Sequence, residues 1–225
     1  MKRFSLLILS FFCLAVFCFC QSAAGGKPKT NLEIFEESIS GELEKLIYSP
    51  GINRNIQFIF IVNPKEQGSG TNDSSTDETK FLTGLIKKTA SANKLNFSFA
   101  KDAGSVKPDT GCYFVELQVL KLETKYTGFK KNRFLGEKTL SRTVEAKIAV
   151  NIGSNDQKFT LTDLINTRKE DEINFDGYES LESAQYYFTR SNPPDVSVFE
   201  RILFPVLLIS ATAVTTILFF IIRSK

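Results

Sequence analysis

The chain contains no histidine. That absence removes the commonest general base, the commonest metal ligand and every ordinary Ser-His or Cys-His nucleophile pair. Cysteine is nearly as scarce. Of four cysteines, Cys13, Cys18 and Cys20 fall within the first twenty residues, so a chain trimmed after them keeps only Cys112 and can form no intramolecular disulfide. A domain exported to an oxidising space without one must rely on its core. Cys112 opens an apolar strand and reads as a small buried hydrophobe, with a reactive or intermolecular thiol as the alternative. A surplus of one charge is missing as well. There are 28 Lys and Arg against 25 Asp and Glu, but Lys2, Arg3, Arg223 and Lys225 flank apolar segments. The middle of the chain is therefore near neutral, and nucleic-acid binding has no support. No internal repeat is present.

Long apolar runs stand at both ends. Ile202 to Ile222 carries no charge and is closed by Arg223 and Lys225. A helix of that length spans roughly 30 Å, the hydrocarbon thickness of a bilayer. At the front, basic Lys2-Arg3, apolar Phe4–Phe19 and the small residues around Ser22–Gly26 form a signal peptide, with cleavage expected after Ala24. A lipoprotein reading of Cys13, Cys18 or Cys20 is opposed by Phe12, Phe17 and Phe19, because that processing needs a small residue before the cysteine. The basic residues after the run place the C-terminus in the cytoplasm and oppose a glycolipid-anchor signal. The expected layout is signal peptide 1–24, leader 25–31, extracytoplasmic domain 32–168, acidic and polar connector 169–198, transmembrane helix 199–222 and cytoplasmic tail 223–225. The chain would then be a single-pass type I protein of a bacterial inner membrane facing the periplasm, or of a eukaryotic secretory-pathway or plasma membrane. A cytoplasmic tail of three residues cannot carry an output domain, so a receptor would have to signal through a partner.

Between the ends, periodicity gives the order of elements. Asn31 caps a helix whose apolar residues are Leu32, Phe35, Ile39, Leu43, Leu46 and Ile47. Ile56–Val62 is a nearly continuous apolar strand of the kind buried on both faces of a sheet. A loop over 65–75 precedes a second helix over 76–93, then a short strand over 95–100. Cys112–Tyr126 is a long strand whose inward set shifts from Tyr113, Val115, Leu117 and Val119 to Leu120 and Leu122, which indicates a β-bulge near Val119. After a turn over 128–137, Val144, Ala146, Ile148, Val150 and Ile152 alternate with polar residues. A third strand covers 158–165. The expected fold is an α/β (α+β) two-layer sandwich: a mixed sheet ending in a three-strand meander, with helices on one face.

IQFIFIV, the 76–93 helix, NFSFA, GCYFVELQVL and VEAKIAVNI followed by FTLT resemble the α/β domain of bacterial envelope assembly proteins. That group includes the curli secretion lipoprotein CsgG, the penicillin-binding-protein activator LpoB and the N-terminal domain of TolB. The resemblance covers about residues 32–165. This chain departs in having no lipobox and a shorter stretch over 101–111. The tail from Tyr178 onward resembles an uncharacterised group of bacterial exported proteins with a C-terminal anchor. Both resemblances imply a binding or assembly role; neither transfers an active-site residue.

Candidate chemistry is sparse. Ser91 and Lys94 match S-x-x-K, in which a lysine amine activates a serine, but the accompanying Ser/Asn and Lys-Thr-Gly elements are missing. Glu170, Asp171, Glu172, Asp176, Glu179 and Glu182 cluster without calcium-loop spacing, and read as a solvated connector or a docking strip. The long hairpin interleaves basic and aromatic residues. Lys125, Tyr126, Phe129, Lys130, Lys131, Arg133 and Phe134 are the candidate interaction surface, against a solvated ribbon or an internal pairing with the acidic stretch. Ser210, Ala211 and Thr215 are candidates for helix association in the membrane, against hydroxyls bonded back to their own helix. Asn72 and Asn96 begin glycosylation sequons that matter only in a eukaryotic secretory pathway. No catalytic residue, cofactor or metal is expected. The functional expectation is a non-catalytic, membrane-anchored subunit that binds protein partners in an envelope complex, with self-association through the anchor as a further route. The alternatives are a hydrolase using Ser91/Lys94 or the carboxylates of 170–182, and a partner-dependent signalling subunit.

Overall fold

The computed structural model describes residues 27–64, 72–101, 111–131, 137–154, 160–195 and 198–223, with backbone alone at 72–76, 131, 198–201, 203–204 and 222–223. The elements run α1 (Asn31–Ile47), β1 (Gln57–Asn63), α2 (Asn72–Ala92), β2 (Phe97–Phe99), β3 (Cys112–Lys131), β4 (Lys138–Ser154) and β5 (Thr160–Asn174). Two 3-10 segments, Phe175–Leu181 and Tyr187–Thr189, and a last helix, α3 (Val198–Arg223), follow. The sheet has the order β2-β1-β3-β4-β5. β1 is parallel to both β2 and β3, whereas β3, β4 and β5 form an antiparallel meander. This is the expected mixed α/β sheet.

Helix α1 starts one residue earlier in its logic than the sequence suggests. Thr30, not Asn31, is the N-cap: its hydroxyl accepts from the Glu33 N–H while the Glu33 carboxylate accepts from the Thr30 N–H. Such a reciprocal box satisfies two of the donors that a helix start leaves unpaired. Asn31 is thereby released for a buried role. Ile34, Phe35, Ile39, Leu43, Leu46 and Ile47 face the sheet and pack with Phe81, Leu82, Leu85 and Ile86 of α2. Phe58 to Ile61 of β1 are all buried, as a continuous apolar strand requires. Phe58, Phe60, Val115, Leu117, Val144, Ala146, Ile148 and Val150 form the floor of this core.

Three boundaries differ from expectation. Helix α2 begins at Asn72 instead of Thr76. Strand β3 continues to Lys131, past the turn expected from Gly128. Its register shifts between Val119 and Lys121, at the expected bulge, and again between Thr127 and Phe129. Gly128 has φ +62° there, so the glycine carries the second irregularity rather than a hairpin turn. Strand β5, expected to stop near Ile165, runs to Asn174 and pairs with β4 along its whole length. The acidic stretch is therefore partly strand and partly 3-10 helix, with Leu181, Phe188 and Thr189 buried.

Helix α3 has 26 residues, about 39 Å at the helical rise, with Pro205 inside it. Its large apolar side chains, including Leu208, Ile209, Phe219 and Phe220, are exposed. Side chains are described without a break only from Pro205 to Ile221. Among the described residues no helix is long and apolar enough to cross a membrane.

Candidate binding surface

The hairpin β3–β4 and strand β5 bring together the residues that the sequence marks. On the face toward α1, Tyr126, Arg142 and Asp171 lie side by side on three neighbouring strands. Arg142 occupies an inward position of the same alternation that buries Leu140 and Val144, and none of its surface is exposed. Its Nε donates to Asp171 Oδ1 at 2.7 Å, and Nη2 donates to the second carboxylate oxygen. Its Nη1 donates to the Lys29 carbonyl and to Asn31 Oδ1, each at 2.8 Å. Asn31 Nδ2 donates in turn to Tyr126 Oη at 2.8 Å and to the Thr189 carbonyl at 2.6 Å. One buried cation thus ties the start of α1, the hairpin, β5 and the second 3-10 segment together.

Tyr126, expected in an exposed surface, is buried. Burial is the main reason its phenol is pushed up to about 12, with the Asn31 bond opposing and the nearby Glu182 carboxylate reinforcing that rise. The ring stays neutral and acts as part of the scaffold. Phe129 packs edge-on against Phe175 at 5.0 Å, and Tyr126 against Tyr178 at 5.3 Å. These rings, with Leu140, Ile173 and Leu181, form a second small core under the hairpin.

The opposite face of the hairpin is a ladder of opposed charges. Lys121 bridges Glu123 and Glu145, Lys125 pairs with Glu123, and Lys147 pairs with Glu145. The lysine contacts from Lys121 and Lys147 hold the Glu145 carboxyl down to about 2, against the smaller opposing effect of burial. Lys130 pairs with Glu172 of β5, and Arg168 with Glu170. The basic residues of the hairpin are thus balanced locally, partly by the acidic stretch. Lys125 and Lys130 remain exposed. The side chain of Lys131, and all of Arg133 and Phe134, lie outside the described residues.

The serine–lysine pair proves to be a helix terminus. Lys94 has φ +55°; its N–H bonds to the Ser91 carbonyl at 3.1 Å, and Leu95 N–H to the Ala90 carbonyl at 3.0 Å. That is a Schellman ending with lysine in the position glycine usually takes. Both side chains are exposed. Of the carboxylates, Asp171 and Glu172 are in ion pairs with the hairpin, and Glu182 Oε1 accepts from Ser191 N–H at 3.1 Å. Among the described residues no three His, Cys, Asp or Glu converge as a metal site. In α3, the hydroxyls of Ser210 and Thr215 donate to the carbonyls of Val206 and Ala211 at 2.8 and 2.7 Å. Arg223 ends the helix, and its side chain and Lys225 lie outside the described residues.

Sequence reasoning missed the Arg142 hub and a buried acid. Glu78 of α2 is buried; one oxygen accepts from the Tyr187 hydroxyl and the other has no hydrogen-bond partner. The signal for the hub was available: Arg142 stands in phase with Leu140 and Val144.

No family model matches the chain, and no curated protein matches it. Among solved structures it is similar to one assigned provisionally as a neuraminyllactose-binding hemagglutinin homolog from Helicobacter pylori. The identity is 13% and the TM-score 0.34, over 58% of this chain and 72% of that one. Likeness at this level carries no functional argument.

Proposed function

We propose that this protein is a non-catalytic, membrane-anchored binding and assembly subunit of a bacterial envelope complex. Its α/β domain, of the kind found in CsgG, LpoB and the N-terminal domain of TolB, faces the periplasm. A signal peptide over residues 1–24 exports it, and the helix over 199–222 holds it in the inner membrane with the C-terminal side in the cytoplasm. The observation that carries this reading is the uncharged stretch of α3 from Pro205 to Ile221, on which Leu208, Ile209, Phe219 and Phe220 stand exposed. Such a surface needs hydrocarbon around it. Its polar side chains suit that solvent, because the hydroxyls of Ser210, Thr212, Thr215 and Thr216 bond to carbonyls of their own helix and leave no donor to be desolvated.

A binding role rests on chemistry already described. The sequence has no histidine, and Ser91 and Lys94 stand at an exposed helix end, so among the described residues this pair does not form a nucleophile with its base. The exposed side of the hairpin at Lys125 and Lys130 is the surface proposed to meet a protein partner. Crosslinking in intact cells from that side, followed by purification in detergent, tests the proposal. A reproducible envelope protein crosslinked through position 130 supports it. Hydrolysis of an envelope substrate that disappears in Ser91→Ala would overturn it.

A further inference from the structure

We propose that the free edge of β5 is a self-association site, pairing antiparallel with β5 of a second copy about a two-fold axis at Glu170. β5 is the outermost strand on its side of the sheet and has 15 residues. Every second residue turns its N–H and C=O away from β4, and no described strand lies beyond to receive them. An open edge this long is usually shortened, covered or charged against pairing. This one is charged, but in an order that favours one partner.

The run Arg168-Lys169-Glu170-Asp171-Glu172 reads positive then negative. A strand with that order is complementary to itself when reversed. A two-fold axis perpendicular to the sheet keeps faces aligned, so only residues on the same face can stand opposite one another. With Glu170 opposite its own copy, Arg168 faces Glu172 on the outer face and Lys169 faces Asp171 on the α1 face. The two Glu170 carboxylates at the axis lie diagonally beside Arg168 of the facing copy, and each is already bonded to its own Arg168 at 2.7 Å. Shifting by one residue would keep one kind of opposite-charge pair, Arg168 with Glu170, but set Lys169 against Lys169 and leave Asp171 facing Thr167, so it holds half as many unlike-charge pairs. Cross-strand opposition of like charge destabilises and of unlike charge stabilises, so the first register is preferred.

Space for the incoming strand is present. Between α1 and β5 lies a groove of about 460 Å³ lined by Lys29, Ile34, Glu37, Gly41, Thr167 and Lys169, among others. Gly41 sits mid-helix, where alanine would be favoured by about 1 kcal/mol. A Cβ there would meet nothing within 4 Å. The inward side chains of a second β5 would enter this groove at its mouth. The inference does not depend on the anchor reading.

Two experiments on the full chain in detergent test it. Arg168→Glu, and separately Glu170→Lys with Glu172→Lys, should each convert a dimer to a monomer by light scattering. Mixing the two variants should restore the dimer, because each then meets opposite charge. Glu170→Cys should form a disulfide-linked dimer at least tenfold more than Asp163→Cys, since residues facing across strands bring Cα atoms within disulfide reach. A monomeric parent chain overturns the proposal. So does a dimer that ignores both charge reversals, equal linkage at positions 163 and 170, or a Glu170→Cys adduct in cells to a different protein.

Discussion

Asp171→Ala should destabilise the domain more than Arg142→Met, although Asp171 is the exposed partner of the two. The Asp171 side chain is 44% exposed and that of Arg142 is 0%. Removing Arg142 leaves a carboxylate that water can solvate. The remaining loss is the donor to Asn31 Oδ1 and the Lys29 carbonyl, each worth roughly 1–3 kcal/mol if left unmade. Methionine preserves most of the packing volume, so the total should be about 3 kcal/mol. Removing Asp171 instead leaves a fully buried guanidinium without its counter-charge, for which breaking a buried pair costs about 3–5 kcal/mol. The double variant should cost less than the sum of the singles, since the two act as a unit. Urea unfolding followed by circular dichroism measures all three; each kcal/mol should also shift Tm by about 2–4 °C in a domain of this size. If Asp171→Ala costs under about 1 kcal/mol, Arg142 is not held as a buried charge and the account of the hub fails.

Three further outcomes follow from the geometry. Lys94→Gly should stabilise the protein by about 1 kcal/mol, because the left-handed conformation costs lysine that much and glycine nothing; a loss of stability in the same urea assay would contradict the Schellman ending. Phe188 is buried among Phe35, Phe81 and Tyr186 at 5.1, 5.1 and 5.5 Å, so Phe188→Ala should cost about 3–5 kcal/mol and open the 183–195 segment to limited proteolysis. Glu145, held at about 2 against an ordinary 4.5 by Lys121 and Lys147, contributes stability that is full above 4.5 and lost as pH falls toward 2. Glu145→Gln should flatten that acid limb in unfolding curves taken between pH 6 and 2.5, and an unchanged limb would count against the ion-pair cluster.

The parts of the fold that were legible in sequence are those where one face is buried in a simple period. Val144 to Ile152 alternate because their strand lies between a core and water, and the phase change at Val119 betrayed the bulge for the same reason. β5 hid its length because its inward set, Ile165, Thr167, Lys169, Asp171 and Ile173, is apolar only at its ends. As an edge strand beneath the rim of α1 it has little core to face, so composition read it as connector. The 3-10 segments carry no period to detect, and their contribution is a few aromatic rings. Tyr126 was misplaced because its neighbours in sequence are basic, whereas its strand phase points it inward. Arg142 broke the apolar alternation, and a charge in that position signals a buried partner; Asp171 could not be paired with it until the length of β5 was known.

The most direct test of the account is topology. A membrane-impermeant thiol reagent applied to intact spheroplasts of a bacterial host should label Lys130→Cys in the domain and leave Ser224→Cys unlabelled until the membrane is permeabilised. Labelling of Ser224→Cys in intact spheroplasts, or protection of Lys130→Cys, would contradict a domain held outside by the 199–222 helix.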